Sequence, residues 1–153
     1  MLRPLLLLGA TLLLAGCDSL PSIGERYSAV PPQTRVFSAD HRTTYFAAQL
    51  AVKKVDFVLT KSAIEQGIVE ARSGLRGDNA FEQVRQLTLE IRLNDIDASH
   101  TEVAVLLREQ IEDTGHPGAT EQTLRAHGLY DTYFAMLEQA IREGANGPAG
   151  SGR

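Results

Sequence analysis

The sequence has few of the residues that carry redox chemistry, metal binding or large aromatic surfaces. Among its 153 residues there are one cysteine and no tryptophan, and aromatic residues make up 6%. A single cysteine excludes an internal disulfide and the multi-cysteine sites that hold structural zinc. No nucleophile elbow, Walker loop or pair of glycosidase carboxylates can be recognised. The sequence therefore predicts a protein that is not an enzyme, with no catalytic residues, no metal and no cofactor.

Dense positive charge is also missing. The formal net charge is −4 at pH 7, and the closest grouping of basic residues is the pair Lys53 and Lys54. Such a chain is attracted only weakly to nucleic-acid phosphates or to an anionic membrane surface. We therefore expect no nucleic-acid partner.

The apolar run at the N-terminus is too short for a membrane-spanning helix, which needs about 20 residues. It covers residues 5–15 and follows Arg3, the only charged residue before Asp18. A basic start, a short apolar stretch and small residues at a cleavage point are typical of a secretory signal peptide. The run ends in a segment that resembles the lipobox of bacterial lipoproteins: Leu14, Ala15, Gly16 and Cys17.

The lipobox resemblance implies a covalent role for Cys17. In that family a diacylglyceryl group is attached to the cysteine sulfur, and a signal peptidase recognises the preceding residues, here Leu14, Ala15 and Gly16. Cleavage would leave Cys17 as the first residue, and its amino group is then usually acylated, for example with palmitate. One acyl chain binds a membrane only marginally, whereas two or three anchor a protein stably.

The cellular location follows from that anchor. The resemblance implies a lipoprotein of the bacterial cell envelope that is held to a membrane and faces the periplasm. Asp18, directly after the cysteine, favours sorting to the inner membrane. The sequence leaves two alternatives open, a cytosolic protein with a free Cys17 thiol and an uncleaved membrane anchor.

The chain divides into a signal peptide over residues 1–16, a tether, one domain and a tail. Residues 17–33 comprise the acylated cysteine and a stretch rich in proline and serine, which predicts a flexible, extended tether. Residues 34–143 form one domain, long enough to build a hydrophobic core of its own. Residues 144–153 are rich in glycine and predict a disordered tail.

Hydrophobic periodicity predicts the element order β-α-β-β-β-β-α within the domain. Helices are expected over residues 40–55 and 129–143. Strands are expected near residues 34–37, 57–61, 68–72, 87–93 and 101–108, with loops over 73–82, 94–100 and 114–118. Strands that alternate apolar and polar residues need cover on one face. We therefore predict a two-layer α+β domain, with an antiparallel sheet covered by two helices.

The series of apolar segments and turns resembles domains from the bacterial envelope. It runs over about residues 36–141, through the segments VFSAD, VDFVLTKS, QGIVEA, LTLEIRL and TEVAVLLR, to a helix rich in tyrosine and phenylalanine. The pattern is similar to that of domains of unknown function in small bacterial lipoproteins. It also resembles the helix-grip domains of the outer-membrane assembly lipoprotein BamC. This resemblance implies a scaffold or protein-interaction role and assigns no functional residue.

Two groups of polar residues are candidate metal sites, and each has a simpler interpretation. Asp95, Asp97 and Ser99 have the spacing that opens a calcium loop, but the glycine and glutamate that such a loop requires further on are missing. A polar hairpin loop is the preferred interpretation. The histidines lack the spacing of a zinc-binding helix and are expected at the surface: His41, His100, His116 and His127.

Phe46 and Leu50 form a second apolar row on the first helix, beside the predicted core face of Tyr45, Ala48 and Val52. They could widen the buried stripe, form a patch for a partner or line a small cavity between helix and sheet. The leading hypothesis is a non-enzymatic, membrane-anchored scaffold or assembly module that binds an envelope protein. The alternative is a carrier or sensor of a small hydrophobic ligand in a helix-grip-like pocket.

Overall fold

A computed structural model of the chain describes residues 30–78, 83–113 and 118–146. The predicted fold class is confirmed: the domain is α+β, with a seven-stranded antiparallel sheet and two helices. The elements in chain order are β1 (Gln33–Phe37), α1 (His41–Lys54), β2 (Phe57–Ala63), β3 (Ile68–Ser73), β4 (Arg76–Asp78), β5 (Gln83–Asp97), β6 (His100–Asp113), β7 (Ala119–Leu124) and α2 (Gly128–Asn146). A 3-10 turn over Ile64–Gln66 lies between β2 and β3.

The strand order across the sheet is β1-β6-β5-β3-β2, with every neighbouring pair antiparallel. The short strand β4 pairs with the start of β5. Strands β1 and β7 share the same partner, because β1 pairs with residues 101–105 of β6 and β7 pairs with residues 107–112. The two therefore lie end to end along one edge of β6.

The hairpin of β5 and β6 is longer than the sequence predicts. Residues 94–100 were expected to be a polar connection, but β5 continues to Asp97, β6 begins at His100, and Ala98 and Ser99 alone form the turn. The prediction failed because it followed apolar alternation, whereas these polar ends are held by backbone pairing outside the core. The predicted alternation itself is confirmed, since Leu89, Ile91 and Leu93 are buried.

Two strands and one helix turn were missed. The predicted loop 73–82 contains β4, and the polar sequence ATEQTL forms β7 with no apolar alternation to reveal it. Helix α2 continues to Asn146, so residues 144–146 of the predicted tail are helical despite Gly144. Residues 79–82 and 114–117, which belong to predicted loops, lie outside the described residues.

Helix α1 begins at a cap formed by Asp40. The Asp40 carboxylate accepts a hydrogen bond from the Thr43 amide at 3.0 Å and another from the Thr43 hydroxyl at 2.7 Å. These bonds lower the pKa of Asp40, because they stabilise the charged carboxylate at the helix N-terminus. The helix ends at Lys54, close to the predicted bounds.

The core lies between the helices and one face of the sheet. The predicted apolar face of α2 is confirmed, with Tyr130, Tyr133, Phe134 and Leu137 all essentially buried. Phe134 stacks on Phe37 of β1 with 6.3 Å between ring centroids. The Arg35 guanidinium lies 4.6 Å from the centroid of the Phe134 ring and 2.7 Å from the Asp131 carboxylate. Strand β1 is thus fixed to α2 by both apolar and charged contacts.

The hydroxyl group of Tyr130 lies where β7 ends and β1 begins. It accepts a hydrogen bond from the Leu107 amide at 3.0 Å and donates one to the Leu124 carbonyl oxygen at 2.7 Å. Near the same junction, the side-chain amide of Gln33 donates to the Arg125 carbonyl oxygen at 3.1 Å. The Tyr130 side chain of helix α2 therefore provides hydrogen bonds to backbone groups at a break in the edge of the sheet.

The two buried tyrosines of α2 give a matched test of this arrangement. Tyr130→Phe should lower the free energy of unfolding by about 1–3 kcal/mol, because it leaves the buried Leu107 amide without its partner. The Tyr133 hydroxyl is buried with no hydrogen-bond partner among the described residues, and burial raises its pKa. Tyr133→Phe should therefore leave stability unchanged or increase it. Urea titration followed by circular dichroism measures both variants, and equal losses would contradict the assignment.

Candidate docking surface

Helix α1 buries Tyr45, Val52 and several small side chains, and it leaves two large apolar side chains partly exposed. Its buried positions are Thr44, Tyr45, Ala47, Ala48, Ala51 and Val52. Phe46 and Leu50, by contrast, are 48% and 49% exposed. At 3.6 residues per turn, these two lie roughly opposite the centre of the buried face. They therefore neither widen the core stripe nor line a cavity beneath the helix, as two of the sequence interpretations required.

Two basic residues extend the same exposed row. Arg42, Phe46, Leu50 and Lys53 fall within about 80° of arc around the helix axis, and we call this set the α1 stripe. The Arg42 guanidinium lies 5.5 Å from the centroid of the Phe46 ring, and Tyr45 meets that ring edge to face at 5.7 Å. The aromatic ring is thus held in place on the surface by its neighbours along the helix.

The charge of the α1 stripe is not neutralised within the domain. Helix α1, with the sequence HRTTYFAAQLAVKK, contains no aspartate or glutamate. Among the described residues, neither Arg42 nor Lys53 forms an ion pair, whereas Lys54 binds Glu143 of α2 at 2.8 Å. A protein of net negative charge therefore presents a positively charged row with an apolar centre.

The first turn of α1 is fixed to the sheet through His41. Its Nδ1 lies 2.7 Å from the Asp95 carboxylate of β5, and its Nε2 lies 3.0 Å from the Ile64 carbonyl oxygen. Gly67 lies beside this contact with φ 60°, and a Cβ atom there would collide with the Leu93 carbonyl oxygen. With Lys54 bound to Glu143 at the other end, polar contacts join both ends of α1 to neighbouring elements.

Two of the candidate calcium residues, Asp97 and Ser99, instead stabilise the hairpin turn by bonding each other. Asp97 accepts hydrogen bonds from the Ser99 amide at 2.7 Å and the Ser99 hydroxyl at 2.9 Å, and its carboxylate lies 2.9 Å from His100 Nδ1. The Ser99 amide, with His100 and the Ser99 hydroxyl, lowers the pKa of Asp97 to about 2. Asp95 binds His41 instead. Among the described residues no group of three or more histidine, cysteine, aspartate or glutamate side chains could hold a metal ion.

A depression of 250 Å³ lies on the outer face of the sheet, opposite the helices. It is lined by Pro32, Glu90, Arg92, Ala104, Leu106 and Arg108. Arg108 lies 3.3 Å from Glu90 and 2.8 Å from Glu121, so ion pairs cross its surface. The lining is charged and open to solvent, which is unlike the enclosed apolar pocket that a hydrophobic ligand prefers.

The segment that resembles a lipobox is not part of the described structure. Leu14, Ala15, Gly16, Cys17 and Asp18 lie outside the described residues, as does His116. In residues 30–78, 83–113 and 118–146, no helix has the length and hydrophobicity needed to cross a membrane.

Comparison with known proteins adds little. No family model matches the chain, and no curated protein matches it. Among solved structures, the adenylate sensor from AMP-activated protein kinase, in complex with 5-aminoimidazole-4-carboxamide 1-beta-D-ribofuranotide, is similar over 71% of this chain and 94% of that chain. The identity is 11% and the TM-score is 0.42. A likeness at this level supports no inference about function.

Sequence reasoning found the apolar half of the α1 stripe and missed the basic half. Arg42 and Lys53 share the helical spacing of Phe46 and Leu50, so their alignment was available from the sequence. The sequence could not show that Arg42 and Lys53 lack ion pairs, because that depends on which carboxylates the fold brings near them. The contact of His41 with Asp95 was likewise missed, because it joins positions 54 residues apart.

The exposure of the α1 stripe predicts a difference between equivalent substitutions. Phe46→Ala and Leu50→Ala should each change the free energy of unfolding by less than about 1 kcal/mol, because half of each side chain is in solvent and alanine favours the helix. The corresponding substitutions of buried residues on α2 should lower the free energy of unfolding more, by about 3–5 kcal/mol for Phe134→Ala and about 2–5 kcal/mol for Leu137→Ala. Urea titration measures the free energy of unfolding of all four variants. If the two phenylalanine variants, or the two leucine variants, lost similar stability, the stripe would belong to the core.

Proposed function

We propose that the chain is a membrane-anchored lipoprotein of the bacterial envelope, and that its domain is a non-enzymatic module that binds another envelope protein. The lipid on Cys17 holds the protein to the membrane, facing the periplasm, with Asp18 favouring the inner membrane. The α1 stripe is the docking surface. The domain thereby acts as a scaffold or assembly component.

The observation that carries this proposal is that helix α1 leaves two of its large apolar side chains about half exposed. A helix that only covered a sheet would bury its largest apolar side chains, because burial of each contributes about 1.5–3 kcal/mol. Here Phe46 and Leu50 remain about half exposed while alanines occupy much of the buried face. Aromatic residues and arginine are enriched in protein interfaces, and Phe46 and Arg42 lie next to each other in the stripe.

The alternative, a carrier of a small hydrophobic ligand, has less support. The positions between the helices and the sheet are filled by side chains with almost no exposure, such as Tyr133, Leu89 and Val105. A second depression, of 460 Å³, lies between β1 and α2 and includes Arg35, Glu138 and Arg142 in its lining. Like the depression on the outer sheet face, it is charged and open to solvent.

The anchor is tested by mass spectrometry of the mature protein. Its N-terminal peptide should begin at Cys17 and carry a diacylglyceryl group and an N-linked acyl chain. Cys17→Ser should abolish this modification and release the protein from the membrane fraction or leave the signal uncleaved. An intact Met1 together with a free Cys17 thiol would rule out the lipoprotein assignment.

The docking surface is tested by photo-crosslinking in cells from a probe at Gln49, beside the stripe. Phe46→Asp/Leu50→Asp should strongly reduce crosslinking to membrane proteins, because charge in the apolar centre opposes burial. Val58→Asp is the matched control, because Val58 is also an exposed apolar residue, 70% exposed, but lies on β2. If the unsubstituted protein, the double variant and the control all crosslinked to the same proteins, the stripe would not be the docking surface.

A further inference from the structure

The chemistry of the partner can be read from the α1 stripe, if the proposed function is correct. Phe46 and Leu50 lie one turn apart, and Arg42 and Lys53 flank them, separated by about 16 Å along the axis. Both basic groups are without a carboxylate partner among the described residues. A complementary surface would carry two apolar side chains between two carboxylates at the same separation.

A second copy of this chain does not fit that description. Pairing two α1 stripes would bring Arg42 and Lys53 of one copy against those of the other. Like charges across an interface are destabilising. A homodimer through this face would also leave the basic groups without compensation when they lose water.

An anionic membrane surface would satisfy the charge of the stripe, but the net charge of −4 weakens the attraction of the whole protein to such a surface. Pro32, the last residue before β1, lines the depression on the outer face of the sheet. The α1 stripe lies on the other side of the domain, beyond the helical layer. The chain therefore enters the domain on the face opposite the stripe.

We infer that the partner is a protein that presents an acidic amphipathic helix, with an apolar pair flanked by carboxylates, to the α1 stripe. The apolar pair of the partner packs on Phe46 and Leu50. Its carboxylates bind Arg42 and Lys53 at the rim, where charge pairs select the partner and set the orientation of the two helices.

The test uses the mature, lipid-modified protein in phosphatidylcholine nanodiscs, with an environment-sensitive dye on the thiol introduced by Gln49→Cys. The probes are two synthetic helical peptides with the same leucine pair. One carries glutamates around that pair at the spacing of Arg42 and Lys53, and the other carries lysines there. Dye fluorescence is titrated with each peptide.

Three changes are compared in this background. Arg42→Glu/Lys53→Glu reverses the charge of the stripe, and Phe46→Ala/Leu50→Ala removes its apolar centre. Arg72→Glu/Arg92→Glu is the matched charge control, because both arginines are exposed and register places them on the outer face of the sheet. It changes the net charge equally without altering the stripe.

The glutamate peptide should bind about tenfold more tightly than the lysine peptide, as two rim charge pairs would give. The preference for the glutamate peptide should reverse in Arg42→Glu/Lys53→Glu and persist in the charge control. Phe46→Ala/Leu50→Ala should bind neither peptide. Equal binding of both peptides would overturn the charge selection while leaving the stripe as a docking surface. Binding of neither peptide would overturn the inference.

Two further readouts separate the remaining explanations. The dye signal could change in phosphatidylglycerol nanodiscs without peptide and stay unchanged when either peptide is added. That result would assign the stripe to the membrane surface and overturn the inference. Mass spectrometry of the labelled protein shows whether Cys17 is lipidated. A second dye on Cys17 would refute the anchor, independently of how the stripe behaves.

Discussion

The structure depends on how the outer edge of β6 is completed by two separate strands. Strands β1 and β7 come from opposite ends of the domain sequence and meet beside Leu107. A break in an edge leaves backbone groups unpaired, and a buried unpaired group costs about 1–3 kcal/mol. The Tyr130 hydroxyl removes that cost by bonding both the Leu107 amide and the Leu124 carbonyl oxygen. Because the Tyr130 ring belongs to the buried face of α2, this one residue connects the helix and the core to the edge of β6.

Helix α1 is held by a different means, and this leaves its outer face free. Its buried side chains, Tyr45 and Val52 among them, pack into the core. Polar contacts at both ends, from His41 to Asp95 and from Lys54 to Glu143, add to this attachment. The helix therefore does not need Phe46 or Leu50 for attachment. Their exposure costs the domain little stability, and it places apolar area where another molecule can cover it.

Much of this fold could be predicted from the sequence, because its core follows regular periodicity. The alternation around Leu89 and Ile91 and the aromatic face of α2 both depend on burial, which leaves a repeating pattern. Strand β7 leaves no such pattern, since it is polar and is held through the backbone of β6. For the candidate site, the apolar pair Phe46 and Leu50 was visible in the sequence. The predicted core face of Tyr45, Ala48 and Val52 is confirmed. Whether the pair widens that face or stands apart from it could not be predicted, since alanine gives a weak signal for the width of the buried side.

The size of the α1 stripe is compatible with its proposed role only together with the proposed lipid anchor. One exposed row of a single helix buries far less than the roughly 1,200–2,000 Å² of a stable protein interface, so a soluble domain would bind through it weakly. Lipid attachment on Cys17 would confine the domain to the membrane that holds its partner and raise the effective concentration of each for the other, as linked binding sites do. Charge at Arg42 and Lys53 then has the task of selection rather than affinity. Under the proposal, the lipobox and the stripe are two parts of one binding arrangement, in which the anchor raises the occupancy of a surface that binds weakly by itself.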